Sequence, residues 1–240
     1  MNLKPRPGMF KRPTLSALGL ILFCLLLAAP ALAAPRKVTI DPAGSLLLPQ
    51  GWTVMDPSVA AKQVTAAKEH MGIAVSSNTI FFAVKNSPSQ EQPAGIVLER
   101  SQASPLNNNI IPLLTPEEKE EIYANTRLLL TGAFKMAAAE VKITETTFKT
   151  FGRYHTLIVS MREAGGHSPT DSHLVYYFLP EATYILTVTY NSGAANELNP
   201  DFAVIMDSFD PDSGYPPATP PARKEGEALH DYLSRIYEAK

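Results

Sequence analysis

Cysteine is almost absent from this sequence of 240 residues: the single one, Cys24, lies inside an apolar N-terminal run. A chain with one cysteine cannot form an internal disulfide. If the N-terminal run is removed, no thiolate nucleophile or thiolate metal ligand is left. A chain of this length buries enough apolar surface to fold without disulfides, so the fold must rest on a hydrophobic core.

Several catalytic and nucleotide-binding motifs are missing as well. The sequence contains no G-x-S-x-G nucleophile elbow, no G-x-x-x-x-G-K-[ST] phosphate loop and no G-x-G-x-x-G turn. A run of four glutamates within residues 117–121 fits the solvated first turn of a helix better than acid–base chemistry. The sequence therefore predicts a protein that is not an enzyme and that needs no cofactor.

The first 33 residues have the pattern of a secretory signal peptide. Four basic residues and no acidic ones precede an apolar run over residues 15–29, Pro30 ends that run, and Ala31 and Ala33 provide the small residues of a cleavage site. We expect cleavage after Ala33 and export to the periplasm or the extracellular space. The alternative is an uncleaved segment, residues 15–34, that anchors the protein in the inner membrane.

The charge balance disfavours two classes of partner. The chain has 21 basic and 23 acidic residues, and the predicted signal contains four of the basic ones. Its removal leaves 17 basic against 23 acidic residues, a net charge of −6. An acidic protein is a poor ligand for nucleic acid or for an anionic membrane surface, so we expect neither; the oligomeric state is left open.

Composition divides the remaining chain into three parts. We predict a globular domain over residues 44–210, a proline-rich linker over residues 211–222 and a tail helix over residues 223–240. The linker is rich in prolines, which favour an extended backbone and prevent helix formation.

Capping signals and apolar spacing predict three helices in the domain. The first covers residues 56–72, with Pro57 in its first turn. The second begins after Thr115, where Glu118 completes a capping box, and ends near Glu140. The third covers residues 200–209. The predicted inner residues of the three helices are Ala60, Val64, Ala67 and Met71; Ile122, Thr126, Leu129, Leu130, Ala133 and Ala137; and Phe202, Ile205, Met206 and Phe209.

Alternating apolar and polar residues predict strands in the rest of the domain. Short connections between the last four of them require antiparallel pairing. The predicted class is therefore α+β, an antiparallel sheet flanked by helices. The predicted strands are Ser45–Pro49, Thr79–Lys85, Gly95–Arg100, Lys142–Thr150, Tyr154–Glu163, Ser172–Leu179 and Thr183–Asn191.

Two short motifs carry a resemblance to a known fold. Leu47-Leu48-Pro49-Gln50-Gly51-Trp52 opens the domain, and Pro200-Asp201-Phe202 leads to Ile205-Met206-Asp207-Ser208-Phe209 at its end. With the long helix and the four-strand meander, the sequence resembles the PsbP-like α/β/α sandwich over about residues 45–210. The resemblance implies an accessory, assembly or binding role, and it carries over no catalytic residues.

One segment concentrates potential metal ligands. His167, Asp171 and His173 lie within seven residues of one another, and a metal-dependent enzyme could use them. Their spacing matches no established zinc signature, and zinc needs three or four converging ligands. The competing interpretation is a polar loop between two strands, and we prefer it.

A small-molecule carrier is a second alternative. Aromatic residues cluster on neighbouring strands, and the alternation sends Tyr176 and Phe178 to one face of the sheet and Tyr177 to the other. Most of them should lie in the core, whereas one or two on an open face could line an apolar pocket. The clustered residues are Tyr176, Tyr177, Phe178, Tyr184 and Tyr190.

The tail carries an amphipathic pattern. Its apolar residues, spaced to lie on one helical face, are Leu229, Tyr232, Leu233, Ile236 and Tyr237. A helix this short needs a surface to cover its apolar face, supplied either by a partner in the cell envelope or by its own domain. Our leading prediction is an exported, non-enzymatic accessory protein that acts through protein–protein contacts, with this face as one binding surface.

Overall fold

The structure is a computed structural model that describes residues 34–56, 78–86, 93–136, 140–164, 168–211 and 220–238. The predicted signal, nearly all of the predicted helix at residues 56–72, and most of the linker lie outside the described residues. The strands are β1 (Arg36–Ile40), β2 (Gly44–Leu48), β3 (Thr53–Met55), β4 (Thr79–Lys85), β5 (Ala94–Ser101), β6 (Val141–Phe151), β7 (Tyr154–Glu163), β8 (Thr170–Phe178) and β9 (Thr183–Asn191). The helices are α1 (Pro116–Met136), α2 (Ala195–Ser208) and α3 (Leu229–Glu238).

Seven strands form one antiparallel sheet in the order β3-β4-β5-β9-β8-β7-β6. Strand β9 pairs with β8 on one side and with β5 on the other, and so joins the meander β6–β9 to the earlier strands. The predicted meander and its antiparallel pairing are confirmed. Strands β1 and β2 form a separate hairpin, and the sequence pattern did not predict β1.

Two hydrophobic layers cover the two faces of the sheet. One layer joins α2 and the β1–β2 hairpin to the sheet, with Tyr177, Leu186 and Phe202 buried in it. The other joins α1 and the tail to the opposite face through Leu157, Val159 and neighbours. Because successive strand residues point to opposite faces, Tyr177 faces α2 while Tyr176 and Phe178 face α1, as predicted. The α+β class with helices flanking the sheet is confirmed.

The first turn of α1 has the predicted capping box. The Thr115 hydroxyl accepts from the Glu118 N–H at 3.3 Å, and the Glu118 carboxylate accepts from the Thr115 N–H at 3.0 Å. Each side chain thus satisfies a backbone donor that a helix N-terminus leaves unpaired.

The predicted inner stripe of α1 is partly wrong. Leu129 is 74% exposed, and Ala133 is exposed as well, whereas Ala137 lies outside the described residues. The stripe that contacts the sheet contains Ile122, Tyr123, Leu130 and Phe134. Three consecutive leucines cannot share one helical face at 3.6 residues per turn. Tyr123 takes the inner position because its hydroxyl accepts the Phe148 N–H of edge strand β6 at 3.0 Å.

Helix α2 begins earlier than predicted. It starts at Ala195 and contains Pro200, which the prediction used as the first residue. The residues before Pro200 include Leu198, which is fully buried. This burial stabilises the part of the helix that precedes the proline. The predicted inner residues Phe202, Ile205 and Phe209 are buried and Met206 is partly buried.

One carboxylate fixes α2 to the far edge of the sheet. Asp201 accepts from the Trp52 indole N–H at 2.8 Å and from the Lys85 ammonium at 2.7 Å. The Lys85 side chain passes Gly51, where φ is +88° and a Cβ would come within 3.4 Å of Lys85 Cε. We call the two hydrogen bonds from Trp52 and Lys85 to Asp201 the clamp on α2. The motif around Gly51 and Trp52 contributes the Trp52 donor and leaves space for the Lys85 side chain. At the other end of the helix, the Ser208 hydroxyl accepts from the Leu47 N–H at 2.8 Å.

We expect Trp52→Phe to lower the free energy of unfolding by about 2 to 4 kcal/mol, because it removes a hydrogen bond to a carboxylate and leaves a cavity beside Phe202. Urea denaturation measures this loss. Val54→Ala, at a position 40% exposed on the same strand segment, is the control and should cost less than about 1 kcal/mol. Equal losses in the two variants would contradict the clamp.

Candidate functional site

A cleft lies between α2 and the part of the sheet formed by β6 and β7. Its volume is about 760 Å³, within the range of small-molecule sites in proteins. We call it the α2–β6 cleft. Its apolar walls are formed by Phe151 and Ile158 from the sheet and by Phe202, Val204 and Met206 from the helix.

The register of the sheet places a row of polar residues at one end of this cleft. Glu145 on β6 lies opposite Ser160 on β7, and Ser160 lies opposite His173 on β8. The next residues on the same face of their strands are Arg162 and Asp171, which are again opposite each other. Directly opposite residues on one face are near neighbours, so these strands bring five polar side chains together.

Hydrogen bonds join the polar residues into one continuous row. The Tyr190 hydroxyl donates to Asn199 Oδ1 at 3.2 Å and lies 2.9 Å from His173 Nε2. His173 Nδ1 lies 2.9 Å from Ser160 Oγ. The tautomer of the ring sets which atom donates in each of its two contacts, and in either tautomer both ring nitrogens have a protein partner.

Glu145 stands at one end of this row. Its carboxylate lies 3.5 Å from Ser160 Oγ and 3.5 Å from Lys149 Nζ, and both distances are at the outer limit of hydrogen bonding. Ser160 Oγ lies closer to His173 Nδ1, at 2.9 Å. The side chains of Glu145 and Lys149 are about half exposed, so the carboxylate has room to accept a further donor from the cleft.

Arg162 and Asp171 neutralise each other beside the row. The Arg162 guanidinium donates to both Asp171 oxygens, at 2.7 and 2.9 Å. Burial is the largest single influence on Asp171 and opposes its ionisation. The hydrogen bonds from Arg162 and Ser192 and the charge of Arg162 together outweigh it and lower the pKa of the carboxyl. The pair therefore carries no net charge at neutral pH.

Burial keeps His173 neutral. It is the largest influence on the ring and lowers the His173 pKa below 6.5. Asp171 and Glu145 act in the opposite direction, whereas Lys149 lowers the pKa further. Burial also raises the pKa of Tyr190, so both ring groups are uncharged at neutral pH.

The structure accounts for two of the three predicted metal-ligand candidates. Asp171 is bound by Arg162, and both ring nitrogens of His173 have protein partners. His167 lies outside the described residues. Over the described part of the chain, no group of three or more histidine, cysteine, aspartate or glutamate side chains could hold a metal ion. A metal site at these residues stays the untested alternative to the polar loop that we prefer.

Among the clustered aromatics only Tyr190 lines the α2–β6 cleft. Tyr177 is buried in the core, and its hydroxyl donates to the Met206 carbonyl at 2.7 Å. Tyr184 is packed against Phe209, and Tyr176 lies beside Phe178 on the α1 face.

The tail lies against its own domain. Tyr232 is fully buried, and its hydroxyl donates to the Pro221 carbonyl at 2.9 Å. Leu229 packs against the α1 layer, and Leu233 and Ile236 are partly buried. Nothing is described of the Tyr237 side chain. The apolar face of α3 is thus covered from within the chain, and its use by a partner stays a prediction.

Two arginine–carboxylate pairs hold the tail. Arg223 donates to both oxygens of Glu118, the capping residue of α1, at 2.9 and 2.5 Å. Arg235 donates to both oxygens of Glu227 at 2.8 Å. The hydrogen bond from Arg223 lowers the Glu118 pKa, and the one from Arg235 lowers the Glu227 pKa to about 2. Such bidentate pairs are strong and directional.

Sequence reasoning missed most residues of the cleft. Ser160 and Arg162 occupy positions that alternate with Val159 and Met161, and so they face α2 rather than α1. A sheet that is covered on both faces is expected to carry apolar residues on both. Polar residues at inward positions of three successive strands, β6 to β8, could therefore have indicated a functional site. Their juxtaposition depended on a register that the sequence did not supply.

The sequence matches no protein-family model, and no curated protein matches it significantly. Solved structures share its fold. Cyanobacterial PsbP from Synechocystis sp. PCC 6803 matches with a TM-score of 0.47 and 8% identity, over 77% of this chain and 96% of that one. LpqN from Mycobacterium tuberculosis, described as involved in cell envelope biogenesis, matches with a TM-score of 0.39 and 13% identity, over 72% and 87%.

A protein of unknown function from Pseudomonas aeruginosa also matches, with a TM-score of 0.39 and 10% identity, over 75% of this chain and 98% of that one. The matched structures include PsbP, the fold that the sequence resembles, and all three have TM-scores below 0.5 and identities of 8 to 13%. They say nothing of activity or partner. Within the described residues, no helix combines the length and hydropathy needed to span a bilayer.

We expect Arg223→Gln to release the tail, because Glu118 loses its bidentate partner and the apolar face of α3 loses its alignment. Hydrogen exchange of residues 220–238 should accelerate at least about tenfold, while β7 to β9 stay protected. Lys224→Gln, at an exposed neighbouring position, is the control. Unchanged exchange in Arg223→Gln would show that this ion pair does not hold the tail.

We expect nuclear magnetic resonance titration to give His173 a pKa below 6.5. Glu145→Gln should lower this pKa further and Lys149→Gln should raise it, because the two charges act on the ring with opposite sign. Shifts of the same sign in the two variants would contradict the assigned geometry.

The lowered pKa of His173 also makes the stability of the fold depend on pH. The unfolded chain protonates this histidine at a pKa near 6.5, before the folded protein does. Protonation therefore favours the unfolded state, and the contribution of His173 to folding is lost as the pH falls below about 6.5 towards the lower folded pKa.

Proposed function

We propose that this protein is an exported, non-enzymatic accessory protein that binds a small molecule in the α2–β6 cleft. The observation that carries the proposal is the shape of this cleft: it has mainly apolar walls and a hydrogen-bonded polar row at one end. Such a site takes a ligand with an apolar body and one polar group, because burial of the body supplies affinity and the polar end fixes orientation.

The cleft leads us to a carrier role rather than to our first prediction, which relied on protein–protein contacts through the tail. The tail residue Tyr232 is fully buried, so partner binding through this face would first require undocking. The cleft needs no such step, because its wall residues Asn199, Ala203 and Asp207 are exposed on one side of α2.

A binding role also suits the chemistry of the polar end. Ser160 and Tyr190 are hydrogen-bonded to the two ring nitrogens of His173, each at 2.9 Å. Each of these groups has a partner, and a satisfied hydrogen-bond network rigidifies its surroundings. In a rigid site, little conformational entropy is lost when a ligand binds. Export is supported by the signal pattern of residues 1–33.

Binding of N-phenyl-1-naphthylamine, a neutral apolar fluorophore, tests this proposal. We expect its emission to rise on binding at one site per chain, with a dissociation constant on the order of micromolar. Ala203→Trp should abolish the rise, because the indole would project from α2 into the cleft. Ala124→Trp places the same side chain at an exposed position of α1, on the other face of the sheet, and should bind as the unmodified protein does.

Two results would contradict the proposal. The first is no binding of the fluorophore to the unmodified protein. The second is equal binding by Ala203→Trp and Ala124→Trp, which would place the apolar site elsewhere. Circular dichroism spectra of both variants verify that they are folded.

A further inference from the structure

We infer that the ligand of the α2–β6 cleft carries a protonated amine as its polar group, and that Glu145 accepts from it. This inference rests on the proposed function and names the ligand class for the same site. An apolar amine would lie with its body against Phe151, Ile158 and Met206, and with its head at the end of the cleft where the polar row begins.

The Glu145 carboxylate decides what that end offers, because a carboxylate accepts hydrogen bonds and does not donate them. The neighbouring Ser160 oxygen, 3.5 Å from the carboxylate, is a second group with lone pairs. An ammonium group has three donors and no acceptor, so it can satisfy the carboxylate and reach the hydroxyl oxygen as well.

The contacts of Glu145 point the same way. Its distances to Ser160 Oγ and Lys149 Nζ are both 3.5 Å, compared with about 2.8 Å for an optimal charged hydrogen bond. Within the described residues, the carboxylate thus has capacity for a closer donor. The Lys149 ammonium is half exposed, and it can turn to water when a ligand cation approaches.

The charge of the cleft favours a cation over an anion. Glu145 and Asp207 contribute two negative charges and Lys149 one positive charge to its lining. Arg162 and Asp171 cancel through their bidentate pair. The net charge of −1 over these described residues attracts an ammonium head and repels a carboxylate.

Three eight-carbon probes that differ only in the head group test the inference: octylamine, octan-1-ol and octanoate. Each displaces N-phenyl-1-naphthylamine from the full mature chain at pH 7.5. We expect octylamine to displace the fluorophore at a concentration at least about tenfold lower than octanoate, with octan-1-ol between them.

Substitutions assign the preference to Glu145. Glu145→Gln should reduce the ratio between octanoate and octylamine to less than about threefold, because the charge is lost but the shape is kept. Lys149→Gln should increase the ratio, since Lys149 is the one cation among the described residues of the cleft lining. Glu140→Gln removes a carboxylate at an exposed position before β6 and should leave the ratio unchanged.

Each outcome is decisive. Equal or tighter binding of octanoate overturns the inference, while the fluorophore binding that supports the proposed function stands. A preference for octylamine that survives Glu145→Gln also overturns it, because the recognising charge then lies elsewhere. Absence of fluorophore binding contradicts the proposed function itself and removes the basis of the inference.

Discussion

Asp201 joins helix α2 to the β3–β4 edge of the sheet. Its carboxylate binds Trp52 and Lys85, which come from the β3–β4 edge of the sheet, whereas β6 forms the opposite edge. Helix α2 shares this face of the sheet with the β1–β2 hairpin. Within the described residues, the α2–β6 cleft lies between the helix and strands β6 and β7. Asp201 is one of the contacts that set the position of α2 and so the width of this cleft.

The polar row makes one end of the α2–β6 cleft a hydrogen-bonding surface. Ser160, His173 and Tyr190 stand where a covered sheet would have apolar residues, and unpaired polar groups there would cost stability. Because each one is hydrogen-bonded to the next, the described protein groups themselves satisfy the row. The end of the row differs, since the Glu145 contacts are long. The cleft thus combines apolar walls with one acceptor end, and this asymmetry defines the expected ligand.

The tail and the cleft use opposite faces of the sheet. Leu229 packs against the α1 layer, while the cleft opens beside α2. Docking of α3 therefore stabilises the α1 side without closing the cleft. The shared element is Glu118, which closes the capping box of α1 and also binds Arg223. Through this residue the first turn of α1 and the position of the tail depend on one carboxylate.

Local interactions are what the sequence by itself determined. The capping box of Thr115 and Glu118, the meander of β6 to β9 and the opposite facing of Tyr176 and Tyr177 follow from contacts a few residues apart, so each was predicted. The buried side of α1 was predicted only in part: Ile122 and Leu130 lie on it as expected. Tyr123 lies there instead of Leu129 because its hydroxyl binds a distant strand, β6.

The polar row was decided only by the tertiary structure. Period-two alternation assigns Glu145, Ser160 and His173 to a face but leaves open which of them lie opposite one another. That depends on the irregular register between Ile143 and Glu145 and on the register of β8 against β7, because a shift of one residue turns every side chain to the other face. The candidate site therefore requires three things: the register of β6 against β7, the register of β8 against β7, and the position of α2 on the sheet.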